Sequence, residues 1–197
     1  MNVLCVQGSP RKRGNSATIA KRFLAAAKDR GATTQTYILN ELNYRSCQAC
    51  YACKTELDHC VLKDDLTPVL NAFGESDLVV VATPVYFGDI SAQTKAFIDR
   101  TFSFVKPDFH NRPDPVRLAP GKKMLWIITQ EAPEEYYSDI FKRYGGMFKT
   151  VAGFDTHLIR GTGVEAPGEV IDKDEVMVQA EEMAEKLLGR CQASRLS

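Results

Sequence analysis

Residues Leu78-Val79-Val80-Val81-Ala82 form an unbroken apolar run of strand length, closed by the turn Thr83-Pro84-Val85-Tyr86-Phe87-Gly88-Asp89. A half-exposed strand alternates apolar and polar positions. A run without alternation needs cover on both faces, as a parallel strand has between two layers of helix. The segments Val3-Leu4-Cys5-Val6 and Met124-Leu125-Trp126-Ile127-Ile128 read the same way, and weaker strands are predicted at residues 33–39 and 154–160. Helical stripes separate them: Ile19, Ala20, Phe23, Leu24 and Ala27; Leu66, Val69, Leu70 and Phe73; Ile90, Thr94, Phe97, Ile98, Thr101, Phe102 and Val105; then a helix over about residues 135–150. The last stripe carries Val176, Met177, Ala180, Met183, Ala184, Leu187 and Leu188. Asp64-Asp65 precedes the second stripe and reads as its cap and dipole partner. Five strands alternating with helices predict an α/β fold with a doubly wound five-stranded parallel sheet. The expected unit is one domain over residues 1–190, with a tail at 191–197 and a cysteine-bearing insertion at 40–63.

Ligands of such sheets bind beyond the carboxyl ends of the strands. Three strand-end loops carry chemical groups here: residues 8–16, 83–91 and 129–133. In the first, Gly8-Ser9-Pro10-Arg11-Lys12-Arg13-Gly14-Asn15-Ser16 leads into a helix whose free N–H groups and dipole favour an anion. Ser9, Asn15, Ser16 and Thr18 are candidate donors, and Arg11 and Arg13 supply charge. A capped helix behind a basic surface loop is the plainer reading of the same residues. The loop matches neither the dinucleotide fingerprint nor the Walker pattern, which leaves a phosphomonoester. A phosphate there and a flat ring held by Pro84, Tyr86 and Phe87 describe FMN, although ordinary loop packing also accommodates the two aromatics.

Lys and Arg balance Asp and Glu at 25 each, so no global field points to nucleic acid. No apolar run is long enough to span a bilayer, and no leader pattern opens the chain. The expected location is cytoplasmic. In that reducing compartment six cysteines do not suggest a disulfide framework. Four of them follow the pattern Cys47-x2-Cys50-x2-Cys53-x6-Cys60. This spacing begins like the compact runs that hold a [4Fe–4S] cluster. Tetrahedral zinc and free redox-active thiols are the alternatives. Val61 stands where ferredoxin-type runs carry proline. Cys5 reads as a small buried hydrophobe and Cys191 falls in the tail. None of His59, His110 and His157 is assigned to catalysis, though His59 adjoins Cys60 as a substitute ligand or a solvated loop residue. Asp99-Arg100 reads as a helix-end ion pair or subunit contact.

Taken in order, Gly8-Ser9-Pro10-Arg11, Gly14-Asn15-Ser16, the four cysteines before Asp64-Asp65, and Thr83-Pro84-Val85-Tyr86-Phe87-Gly88 form a pattern. With Ser91, Lys95, Ala96, Phe97 and Asp99-Arg100 behind it, it resembles the flavodoxin-like NAD(P)H-dependent FMN reductases, and more narrowly their iron–sulfur flavoprotein branch. The likeness covers roughly the first two-thirds of the chain. It implies strand order 2-1-3-4-5 and an FMN phosphate at Ser9, Arg11, Asn15, Ser16 and Thr18. It further implies an isoalloxazine at Pro84, Val85, Tyr86, Phe87 and Gly88, with a third contact at Thr129 and Gln130. A [4Fe–4S] cluster at Cys47, Cys50, Cys53 and Cys60 is likewise implied. The expected chemistry is hydride transfer from NAD(P)H to FMN and onward transfer to a flavin, quinone or protein acceptor, in a homodimer or tetramer. Two rivals are an electron carrier that exchanges with ferredoxin and uses no nicotinamide, and a flavin-free binding module on the same fold.

Overall fold

The structure is a computed structural model that describes residues 1–189. The end of the expected domain at residue 190, the tail at 191–197 and Cys191 lie outside the described residues. In chain order the elements are β1 (Asn2–Gln7), α1 (Asn15–Asp29), β2 (Thr33–Ile38), α2 (Ala52–Thr55) and α3 (Thr67–Glu75). They continue with β3 (Leu78–Tyr86), β4 (Asp89–Ile90), α4 (Ala92–Arg100), β5 (Lys123–Thr129), α5 (Asp139–Ala152), β6 (Asp155–Gly161) and α6 (Asp174–Leu188). The parallel strands run in the order β2-β1-β3-β5-β6, and the two-residue β4 folds back antiparallel on the end of β3. With β4 set aside, this is the expected 2-1-3-4-5 order.

The apolar run of β3 is buried from Leu78 to Pro84 because helices cover both sides of the sheet. Val80 and Ala82 pack toward α1 and α6 with Ile19, Phe23, Ala180 and Ala184. Val79 and Val81 pack toward α3, α4 and α5 with Phe73, Phe97 and Phe148. Trp126 is fully buried on that second side. Parallel register pairs Gln7 with Ala82, Pro84 with Thr129, and Thr129 with Gly161. The ends of β1, β3, β5 and β6 therefore stand side by side, and their loops form one rim.

Three local expectations change. The helix expected over about 135–150 begins at Asp139, after a turn that puts Tyr137 at φ 60°. Asp64-Asp65 does not cap α3. That helix starts at Thr67 behind Leu66, with no acidic residue in its first turn, while the Asp64 carboxylate turns inward to a cation. Asp99-Arg100 is not an ion pair either. Asp99 takes Lys95 at 2.5 Å on the helix surface, and Arg100 points into the protein. Neighbours in sequence are 100° apart around a helix and face different surroundings.

No described helix is long and apolar enough to cross a membrane.

Candidate functional site

Between β1 and α1 the chain is locked by close packing. Gly8 N–H donates to the Ala82 carbonyl at 2.8 Å, and the Gly8 carbonyl accepts from Ser91 Oγ at 2.7 Å. A Cβ at Gly8 would stand 1.7 Å from Thr94 Oγ1, so only glycine fits. Thr83, Ser91 and Thr94 form a fully buried hydroxyl network, with Ser91 Oγ also accepting from Thr94 N–H to cap α4. This network joins the loop after β1 to the loop after β3. Gly14 is equally tight, since a Cβ there would lie 2.5 Å from Ser9 Oγ.

The candidate phosphate residues divide by what already occupies them. Ser9 is buried and its hydroxyl accepts from Arg11 N–H at 3.2 Å, shaping the turn. Thr18 Oγ1 donates back to the Gly14 carbonyl at 3.1 Å. Asn15 is spent on the loop after β6: its amide donates to the Ala166 carbonyl at 3.0 Å and accepts from Gly168 and Val170 N–H. Arg11 reaches the Glu165 carbonyl at 2.7 Å from an exposed position. Ser16 differs from all of these. It is 1 % exposed, sits in the first turn of α1, and its Oγ has no hydrogen-bond partner among the described residues. A buried hydroxyl without a partner costs roughly 1–3 kcal/mol. Beside the free N–H groups of a helix start, it suits an anionic acceptor.

On the rim's other side, Pro84 is buried, Val85 half-buried and Tyr86 exposed. Phe87 is 111 % exposed and held at φ 49°, a left-handed backbone unusual for a side-chain-bearing residue. Tyr137 comes within 3.5 Å of where a Gly88 Cβ would stand. Fully exposed aromatic surface and backbone strain coincide in this loop, as they do at ligand sites. Asp89 anchors it to α5 through Arg143 at 3.0 Å and Tyr144 at 3.3 Å. Burial alone would raise the Asp89 carboxyl, but Arg143 and the Ile90 N–H outweigh it and hold the group below the usual carboxylate range. Thr129 and Gln130 are buried at the end of β5. The Gln130 amide nitrogen lies 3.1, 2.7 and 2.9 Å from the Ala132, Pro133 and Tyr136 carbonyls, and its oxygen accepts from Arg160 at 2.7 Å. Gln130 therefore shapes its own loop, leaving the aromatic tips to face outward.

The cysteine segment sits elsewhere, over the C-terminal end of α4. Cys47 and Cys50 are exposed, Cys53 and Cys60 partly buried, and all four line one cavity of about 100 Å³ with Arg100 and Phe102. Ala49 and Tyr51, on either side of Cys50, have φ of 50° and 58°. No three His, Cys, Asp or Glu side chains among the described residues are gathered closely enough to hold a metal ion. Cations hold the segment from beneath. Lys54 Nζ lies 3.5 Å from Cys53 Sγ and 2.6 Å from the Phe102 and Val105 carbonyls, and Arg117 donates to the Cys53 carbonyl at 3.1 Å. Arg100 Nε donates to Cys60 Sγ at 3.0 Å, and its other nitrogens reach Asp64 at 2.8 and 3.2 Å. Burial opposes the charge on Arg100, yet Asp64 and the Cys60 sulfur outweigh it and hold the guanidinium above its ordinary range. An apolar cavity of about 450 Å³ adjoins, sharing Cys47, Ala49 and Phe102 with the cysteine cavity. His59 stands on Asp58, His157 faces Asp155, and His110 stacks on Phe109; the strand-end rim includes none of them. Cys5 is fully buried in β1, and burial pushes its thiol up to about 12.

A model of the NADPH-dependent FMN reductase family matches residues 1–121, which take in the glycine-tight loop, the cysteine segment and the aromatic loop. The chain belongs to this family. Among its relatives is an iron-sulfur flavoprotein of Methanosarcina thermophila, 36% identical over 109 residues, or 55% of this chain and 56% of that protein. In that match, and in a second to Methanocaldococcus jannaschii at 52%, the chain spans about half the length of the relative. An iron-sulfur flavoprotein of Archaeoglobus fulgidus is 29% identical over 177 residues, covering 88% of this chain and 74% of that one. The fold is shared with an FMN-dependent NADH-azoreductase from Bacillus anthracis, at TM-score 0.73 and 18% identity, over 95% of this chain and 100% of that chain. An NAD(P)H:quinone oxidoreductase from Methanothermobacter marburgensis shares it too, at TM-score 0.74 and 16% identity, over 95% and 96%.

Within this FMN reductase fold, several residues went unmarked by sequence. The segment 165–170 closes over the first loop through Asn15 and Arg11, and Glu169 accepts from Glu165 and Ala166 N–H at 2.5 and 3.0 Å. Arg160 and Tyr137 complete the rim. Arg100 was marked only as half of the Asp99-Arg100 pair; its inward direction had one visible signal, a charged residue three positions after Phe97 on an apolar helical stripe.

Proposed function

We propose that this chain is an FMN-dependent oxidoreductase that takes reducing equivalents from NAD(P)H. The observation that carries the reading is the unpartnered, buried Ser16 hydroxyl at the first turn of α1, inside a loop that tolerates no side chain at Gly8 or Gly14. When bound, FMN supplies hydride acceptance and onward electron transfer. The phosphate's partners are Ser16 Oγ, the first N–H groups of α1, and Arg11, which swings from the Glu165 carbonyl to the phosphate. Ser9, Asn15 and Thr18 act one step back, holding the loop in shape. Residues 84–88 take the ring, with Tyr86, Phe87 and Tyr137 excluding water from it, and Thr129 and Gln130 set the facing loop. Residues 1–190 are the FMN-binding unit, and exposed Phe87 is the surface that a second copy covers in a homo-oligomer.

Four thiols on one cavity match the donor set of an iron–sulfur cluster in kind, although they are not gathered closely enough to ligate as they stand; Cys47, Cys50, Cys53 and Cys60 are the residues that would close on a [4Fe–4S] centre supplying one-electron steps. The reducing cytoplasm keeps such thiols free to bind it. The similarity to iron-sulfur flavoproteins favours a second reading, an electron carrier that exchanges with ferredoxin and binds no nicotinamide. One anaerobic preparation separates them. Expected are a flavin absorption spectrum, FMN binding tighter than riboflavin, bleaching by NADH or NADPH, and iron and sulfide lost in Cys50→Ser with FMN retained. Flavin reduced by a reduced ferredoxin but by neither nicotinamide would establish the carrier. Failure to bind FMN at all would sink both readings.

A further inference from the structure

Arg100 is the largest charged side chain fully buried among the described residues, and it lies outside the strand-end rim. A buried guanidinium has five N–H donors to satisfy, and leaving any of them dry is costly. The hydrogen-bond partners of its guanidinium all belong to the cysteine segment and its flanks. Nη1 donates to the Arg45 carbonyl at 2.8 Å and to Asp64 at 2.8 Å. Nη2 donates to the Leu62 carbonyl at 3.3 Å and to Asp64 at 3.2 Å, and Nε to Cys60 Sγ at 3.0 Å. The chain is thus gripped at residue 45, two positions before the first cysteine, and at residues 60, 62 and 64, around the last. Asp64 adds a second tie by accepting from Arg45 N–H at 3.1 Å. The intervening residues 47–51 have no such anchor and carry two left-handed non-glycine residues.

We propose that Arg100 is a positioning residue for the cysteine segment: it closes residues 45–64 into a loop of fixed ends on α4 and sets a hydrogen bond and a positive charge against the Cys60 sulfur. Ordering the loop ends in the free protein removes part of the entropic cost of gathering four thiols around one centre. For a cluster held there, a cation and an N–H directed at a ligating sulfur stabilise the more negative, reduced state and raise the reduction potential. The charge contribution rests on the cluster reading above; the clasp does not. Arg100 sits at the C-terminal end of α4, whereas the FMN rim is built on its N-terminal end at Ser91 and Thr94, so the two sites are separable by mutation.

The test uses Arg100→Lys and the double variant Arg100→Met/Asp64→Asn, which removes the cation without stranding its carboxylate. Flavin affinity within about twofold of wild type serves as the check on folding, since no partner of Arg100 lies in the FMN loops. In the reduced, iron-free protein, hydrogen exchange over residues 45–63 should quicken about tenfold or more in the double variant, with β1 and β3 unchanged. Arg100→Lys keeps the charge but lacks the fork. It should show the same loosening, and it decides the clasp by itself if the double variant does not fold. After anaerobic reconstitution, EPR-monitored titration should give a more negative cluster potential in the double variant, partly restored in Arg100→Lys. Unchanged exchange in either folded variant overturns the clasp, and an unchanged potential overturns the role of the charge. A wild type that takes up no iron overturns the cluster reading and the charge role with it, while the exchange measurement still decides the clasp.

Discussion

The loop after β1 and the cysteine segment both gather chemically active side chains against α4, yet they sit at its opposite ends and are built in opposite ways. Residues 8–16 are rigid because they are crowded: two glycines with no room for a methyl group, a buried hydroxyl network beneath, and Asn15 clamped to residues 166–170. Residues 47–60 are held by Arg100 at Arg45 and Cys60 and by Arg117 at Cys53, and left exposed elsewhere, with Cys47 and Cys50 at the surface. On the FMN reading proposed above, the first is already shaped for its ligand, so little ordering would remain to oppose binding. On the cluster reading proposed above, the second would leave its ligand to finish the arrangement, as metal sites coupled to local folding do. One protein thus holds a crowded, preshaped loop at the N-terminal end of α4 and a partly open cysteine segment at its C-terminal end.

The comparison breaks most severely at Gly8. Gly8→Ala places a Cβ on Thr94 Oγ1 and should destabilise the protein by about 3 kcal/mol, with loss of FMN binding. Chemical denaturation alongside FMN titration reads both effects. A variant with wild-type stability and flavin affinity would mean that the first loop yields as easily as the second.

A smaller and more diagnostic effect is expected at Ser16. Ser16→Ala removes a buried hydroxyl that lacks a partner, so the flavin-free protein should keep or gain stability, by up to about 1 kcal/mol. FMN affinity should nonetheless fall by about 1–2 kcal/mol, with riboflavin affected much less. Opposite signs in free protein and complex are the mark of a site shaped for an absent acceptor. Loss of stability without loss of FMN affinity would count against that assignment.

The smallest effect concerns the anchor of the aromatic loop. The folded Asp89 carboxyl lies below its usual range, so its pairing with Arg143 stabilises the protein above the unfolded carboxylate pKa of about 3.9. That contribution is lost as pH falls through the lower, folded value. Asp89 is 41% exposed, and solvent screening keeps the contribution under about 1 kcal/mol. Denaturation midpoints of wild type and Asp89→Asn should therefore differ at pH 6 and converge below about pH 3.9. A difference independent of pH would point to packing rather than charge.

The sequence alone determined the strands, the helical stripes and the loops that close the strands. Apolar runs and 3.6-residue stripes are local signals, readable without knowing what lies opposite. It also placed Ser9, Tyr86 and the four cysteines on those loops, and Ser16 where the first loop opens into a helix. Only the tertiary structure decided which side chains remain available. Asn15 and Arg11 meet their partners 151 and 154 positions away, and Arg100 meets Asp64 across 36. Such pairings depend on which loops the strand order brings together and on which faces of α1 and α4 turn inward. The same geometry satisfies Asn15, leaves Ser16 without a partner, and turns Arg100 from a helix-end charge into the anchor of the cysteine loop. A hydrogen bond requires an approach within about 3 Å, and that approach is set by packing, which no local pattern in the chain records.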